Sequence, residues 1–192
     1  SQLPIGDLRT DAKENLITSI EVACTQKNGV PMIQEVCLYF EYKLYRANRT
    51  TKMSAEQFEA FVSMNYPPLA ESGVYLKFNE HYLLSKSHIH SSFVVRKKLV
   101  TDIVILKMFP GITKNVVESI LNIQNLKGVV IETFGSGNAL NESWFVNLIK
   151  KAINNNIRII NVTQCLGGNV NQGHYETSVA LKKVGVVSGK DI

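Results

Sequence analysis

The sequence predicts an α/β protein of two domains, and three observations carry that reading. From Ile103 to Val187, short apolar runs alternate with helical periodicities, the pattern of a parallel sheet flanked by helices. The first 78 residues also combine a helix with several strand-like runs. From about Asn79 to Lys98 the texture changes to His, Ser and Lys with only short apolar pieces, as in an interdomain linker. Domains are therefore expected at residues 1–78 and 99–192, joined by a linker at 79–98.

In the first domain, Asp11 followed by Glu14 reads as a capping box. Leu16, Ile20 and Ala23 follow at helical spacing, so a helix is expected to run to about Cys24 with these residues inward. Gly29 and Pro31 break it. Val36 to Phe40 is an apolar strand, and a turn after Glu41 leads into Leu44-Tyr45-Arg46. Ser54 with Gln57 forms a second box opening a short segment that buries Phe58 and Phe61. Asn65-Tyr66-Pro67-Pro68 is a turn, and Val74 to Phe78 alternates as a strand does.

In the second domain, Ile103 to Leu106 reads as a buried strand, followed by Phe109-Pro110-Gly111 and a helix marked by Val116, Val117, Ile120 and Leu121. Val129 to Ile131 is the next strand. Asn141 is expected to cap a helix carrying Trp144, Phe145, Leu148, Ile149 and Ala152, with Trp144 in the core. Ile157 to Val162 is a third strand, followed by a polar loop from Thr163 to His174. A last helix spans roughly Tyr175 to Val184 and leads into Val186-Val187.

The composition, 45% hydrophobic and 19% charged, suits a folded core. Lys and Arg number 21 against 16 Asp and Glu. They are spread along the chain, and the densest cluster is only Arg96-Lys97-Lys98, so the charge reads as solvated surface and no nucleic-acid partner is expected. No apolar run is long enough to span a bilayer. Cys24, Cys37 and Cys165 fit neither a metal spacing nor a disulfide framework, and a reducing, cytoplasmic setting is the simplest reading. No metal and no cofactor are expected.

Ligands of open parallel sheets bind beyond the carboxyl ends of the strands. Two loops there are dense in small and polar residues: Gly135-Ser136-Gly137-Asn138 and Gly167 to Gly173. Glycine lets a backbone approach a ligand closely, and the Asn138 amide both donates and accepts, which suits an amide or amino acid. Leu140 stands where a dinucleotide fingerprint needs glycine, so that site fails. In the first domain, Ala47-Asn48-Arg49-Thr50-Thr51-Lys52 packs hydroxyls, an amide and cations between elements. Such a cluster can position a buried lysine for proton transfer; taken alone it also reads as a solvated loop. The His88 and His90 pair lacks a carboxylate or Cys nearby to complete a metal site, and His174 reads as a rim residue. Three sequons begin at Asn48, Asn141 and Asn161.

Together these motifs resemble the type I (cytosolic) bacterial L-asparaginases. Ser1-Gln2-Leu3-Pro4-Ile5 with Arg9-Thr10-Asp11, the stretch from Val36 to Asn48-Arg49-Thr50-Thr51-Lys52, and Asn65 to Leu69 carry the resemblance in the first domain. Glu132 to Ala139, Thr163-Gln164-Cys165, Gly173-x-Tyr175-Glu176 and Gly185 to Asp191 carry it in the second. The resemblance implies part of an N-terminal α/β domain plus a smaller C-terminal α/β domain. It implies hydrolysis of L-asparagine to aspartate and ammonia through a Thr nucleophile. A second Thr, an Asp and a Lys would support that nucleophile, with Lys52 as the lysine and Thr51 orienting it. Asn138, Ser136 and, ranked lower, Glu176 would bind substrate, probing the site of a neighbouring subunit in an intimate dimer or a tetramer. Cys165 would mark a regulatory site.

The chain departs from the family pattern at three points. The Thr-Gly-Gly-Thr and Gly-Thr-Asp motifs that would bring the nucleophile, the second Thr and the Asp are absent, so both ends are expected to be trimmed and the chain alone to be inactive. Thr10-Asp11 does not replace them. Glu132 places an acid where a cation would hold a regulatory carboxylate. Two alternatives stay open: the amidotransferase subunit that supplies ammonia to misacylated tRNA, and a non-catalytic fragment that binds amino acids and dimerises.

Overall fold

The computed structural model describes residues 1–84, 94–173 and 176–192, and of Glu176 and Thr177 the backbone only. His88, His90, His174 and Tyr175 lie outside the described residues. The chain forms two compact units, Ser1–Phe93 and Val94–Ile192.

The first unit is built on antiparallel pairs and one helix, α1 (Ala12–Cys24). After α1, β1 (Gln26–Lys27) and β2 (Val30–Pro31) form a hairpin where the sequence suggested only a break. Its turn residues Asn28 and Gly29 both have positive φ. A four-stranded sheet follows in the order β3 (Cys37–Phe40), β4 (Lys43–Arg46), β7 (Ala70–Ser72), β8 (Leu76–Phe78). A separate two-stranded hairpin pairs β5 (Thr51–Lys52) with β6 (Phe61–Val62). Strand β7 had no signal of its own in the sequence, because its three residues are Ala, Glu and Ser.

The face that α1 buries differs from the expected one. Asn15, Thr18 and Val22 are inside, whereas Leu16 and Ile20 are more than half exposed. The reason is polar. The Tyr39 hydroxyl donates to Glu14 Oε1 at 2.7 Å, and the Glu41 backbone N–H donates to Asn15 Oδ1 at 3.2 Å. The helix thus meets the β3–β4 hairpin through hydrogen bonds. Those bonds pin a two-residue turn, Glu41-Tyr42, whose residues both have positive φ without being glycine. Neither capping box forms. Asp11 makes no side-chain cap bond to the helix, and Ser54 Oγ accepts from the backbone N–H groups of Glu56 and Gln57 in a bend that starts no helix. Phe58 stays exposed, while Phe61 stacks on Phe40 with ring centroids 4.9 Å apart.

The second unit has the expected alternation: β9 (Ile103–Lys107), α2 (Lys114–Leu121), β10 (Gly128–Thr133), α3 (Ser143–Asn154), β11 (Arg158–Thr163), α4 (Glu176–Lys183), β12 (Val187–Ser188). All pairings are parallel, in the order β12-β11-β10-β9. Every crossover steps in one direction, so helices of one handedness all land on one face. There Leu106, Val129, Ile131 and Ile159 pack against Val117, Phe145, Ile149 and Leu181. Among the described residues the opposite face keeps Ile103, Ile105, Ile160 and Val187 exposed. The expectation of a fully buried strand at Ile103–Leu106 therefore fails: β9 is an edge strand with one apolar face open, and only Leu106 is buried. Asn141 does not cap α3; Glu142 occupies that position, without a side-chain bond. Trp144 is half-buried at the core margin, edge-on to Phe145.

Candidate functional site

A strand order without a reversal has no topological switch point, so the usual ligand crevice of doubly wound sheets does not arise here. The loops at the strand ends nevertheless converge on one construction. Gly135-Ser136-Gly137-Asn138 folds back on the end of β10. The Asn138 backbone N–H donates to Phe134 O and its carbonyl accepts from Phe134 N, both at 2.9 Å. Gly137 has φ +110°, and a Cβ there would lie 2.7 Å from Val170 Cγ1. Only glycine fits, for both backbone and steric reasons.

Buried polar side chains of β10 and β11 fasten this turn. Asn161, fully buried, donates through Nδ2 to Gly137 O at 3.2 Å and accepts from Thr133 Oγ1 at 2.6 Å. Thr163 Oγ1 donates to Gly135 O at 2.6 Å and accepts from the Cys165 N–H at 3.0 Å. The amide of Gln164 donates to Met108 O and Glu132 O. The second polar loop joins through the Asn171 N–H to Ser136 O at 3.0 Å. Ser136, Asn138 and Cys165 are therefore brought into one cluster, with Ser136 and Asn138 half-buried and the Cys165 thiol exposed and free. Thr133, Asn161 and Gln164 were not singled out in the sequence. A polar residue at an inward position of an apolar strand was the available signal, and Asn161 was instead noted as the head of a sequon. Its complete burial excludes glycosylation of the folded unit. Glu132 pairs with Lys107 at 3.6 Å. Glu176 opens α4, and its side chain is outside the description.

Lys52 lies in the first unit, on β5, opposite Phe61. The expectation of a buried lysine is not met: Thr51 and Lys52 are both exposed. The β5–β6 hairpin has two strands and no third element covering it. The ammonium is still located. It donates to Gln2 Oε1 at 2.8 Å and lies 5.6 Å from the Phe61 ring centroid. The segment leading to it is held by the Ala47 N–H to Val36 O at 3.0 Å and by Thr50 Oγ1 to Arg46 O at 2.7 Å. Behind it, Arg46 forms an ion pair with Glu35, whose side chain is 5% exposed, and stacks 4.4 Å from the Tyr66 ring centroid. The pair raises the Arg46 pKa. Burial, with the Glu35 charge adding to it, pushes the Cys37 thiol up to about 11, so Cys37 stays protonated and unreactive at neutral pH.

Among the described residues no group of His, Cys, Asp and Glu could hold a metal ion, and no helix is long and apolar enough to cross a membrane.

Comparison with known proteins assigns this architecture. The N-terminal domain of asparaginases matches residues 1–84, and the glutaminase/asparaginase C-terminal domain matches residues 102–192. The chain belongs to the asparaginase family. It is 35% identical over all 192 residues to L-asparaginase 1 of Escherichia coli strain K12, covering 54% of that protein. It is 38% identical over the same length to a 60 kDa lysophospholipase of Mus musculus, covering 33% of it. The crystal structure of L-asparaginase I from Vibrio cholerae superposes with a TM-score of 0.90 at 35% identity, over the whole chain and 56% of that structure. The chain thus spans about half the length of the asparaginases it matches.

Proposed function

We propose that the protein carrying this chain hydrolyses the side-chain amide of L-asparagine to aspartate and ammonia, with Lys52 as the proton-handling lysine. The observation that supports this most directly is the hairpin at Asn48 to Lys52, which presents a lysine with a located ammonium in the family segment where a catalytic lysine is expected. The 35% identity to an L-asparaginase 1 over every residue favours this reading over an amidotransferase subunit or a non-catalytic fragment.

In this reading a Thr outside the chain attacks the amide carbon, and Lys52, oriented by Thr51, eases proton movement at that step. An exposed ammonium does this weakly. Its desolvation comes from bound substrate and from the rest of the protein. Asn138 and Ser136 contact the amino-acid end of the substrate, with the rigid turn fixing their backbones. Glu176 takes the substrate ammonium, and Cys165 borders a regulatory site. Residues 1–78 and 99–192 act as two domains, and the working form is a cytoplasmic dimer or tetramer. In the whole protein, Lys52→Ala is expected to lower kcat for asparagine by about a hundredfold or more, measured as ammonia release. The isolated 192-residue chain is expected to release none. Near-normal turnover by the variant rules out the assignment of Lys52.

A further inference from the structure

We infer that Gln2 is a positioning residue for Lys52, and that the Asp11 carboxylate fixes Gln2 for this task. The inference deepens the proposed function and rests on Lys52 being its lysine.

The geometry specifies both ends of the Gln2 amide. Its Nε2 donates to the Gln57 carbonyl at 2.8 Å, so its Oε1 is the end turned to Lys52 Nζ, also at 2.8 Å. A swapped amide would set NH2 against an ammonium and a carbonyl against a carbonyl. The Gln57 carbonyl belongs to the bend that joins β5 to β6, so the hairpin displaying Lys52 also orients the group that holds it. The Gln2 backbone is pinned separately. Its N–H lies 3.0 and 2.9 Å from the two Asp11 carboxylate oxygens, and the Leu3 N–H donates to Oδ1 at 3.0 Å. Asn15 Nδ2 donates to the same carboxylate at 3.0 Å, tying it to α1. The order of control runs from α1 through Asp11 and Gln2 to Lys52. An amide oxygen accepts from the ammonium but takes no proton at neutral pH, so it fixes Nζ in space without competing for the proton the reaction moves.

The test separates positioning from catalysis. In the chain, amine-selective labelling followed by peptide mass mapping reads the access of Lys52 against Lys43, an exposed lysine of β4. Lys52 is expected to label more slowly than Lys43, and Gln2→Met, which keeps the volume and removes both polar ends, is expected to speed it by about threefold while Lys43 is unchanged. Equal rates for Lys52 and Lys43 in the unsubstituted chain, or an unmoved Lys52 rate in a folded Gln2→Met variant, overturn the inference. In the whole protein, Gln2→Met is expected to lower kcat for asparagine with KM little changed, and Gln2→Glu, which keeps the acceptor, to recover part of it. Normal turnover by Lys52→Ala would defeat the catalytic reading, whereas the labelling result stands or falls without it.

Discussion

The Gly135–Asn138 turn and the Lys52 hairpin are held in opposite ways. The turn is locked from below by side chains that never meet water: Asn161 and Thr133 are fully buried, and their hydrogen bonds end on the turn itself. Lys52 is held from the side, by the half-buried Gln2 and the edge of Phe61. A buried polar lock is rigid, because breaking it strands a donor or acceptor in a low dielectric. A surface tether exchanges with water at little cost and leaves a side chain free to follow its partner. The turn thus suits a group that must define a ligand's position, and the hairpin suits a group that must move a proton.

The sharpest way to break this contrast is Asn161→Ala. It leaves the Thr133 hydroxyl without one partner and the Gly137 carbonyl without its donor, and a loss of about 3 kcal/mol is expected. Denaturant unfolding followed at Trp144, in the second unit, reads it; a loss below about 1 kcal/mol would show that water replaces the lock.

Next in size is Tyr39→Phe, which probes the scaffold of the first unit. The Tyr39 phenol is pushed up to about 12 by burial and by its hydrogen bond to Glu14. A raised value means that the neutral phenol supports the fold in full below its ordinary value of 10.0, and that this support is lost as pH climbs toward 12. The variant is expected to lose about 1.5 kcal/mol at neutral pH, and its urea midpoint should fall less steeply than the parent's across that alkaline window. Parallel profiles would detach Tyr39 from the alkaline transition.

The smallest effect is expected for Lys52→Ala on stability, within about 0.5 kcal/mol by the same unfolding measurement. A larger loss would place Lys52 among structural groups and narrow the contrast between the two regions.

The acid side follows from Asp11. Burial pushes its carboxyl up, but hydrogen bonds from Leu3, Gln2 and its own backbone N–H outweigh this and hold it below the usual carboxylate value. Its hold on Gln2 is therefore kept above that usual value and is released only as pH falls through the lowered one.

The second unit was more legible in the sequence than the first. Its alternating apolar runs, Ile103 to Val187, gave both the elements and their parallel pairing, because a helix between successive strands permits little else. In the first unit, α1 was found with the wrong face inward, since periodicity weighs Leu16 and Ile20 and cannot see that Glu14 and Asn15 have partners on β3 and its turn. Strand β7 was invisible because its register is imposed by β4 and β8, not by its own residues. Lys52, Ser136 and Asn138 could be named from local motifs. Thr133, Asn161, Gln164 and Gln2 could not, because their roles depend on groups up to 56 positions away.

Residue order alone thus settled the α/β class, the parallel sheet and the family, since these follow from periodicity and short motifs that act over a few residues. Tertiary structure alone decided which face of α1 is buried, that Lys52 lies open, and that Asn161 anchors the binding turn. Each of these depends on a hydrogen-bond partner or a covering surface brought in from a distant part of the chain, and the free energy of burying a polar group is set by that partner.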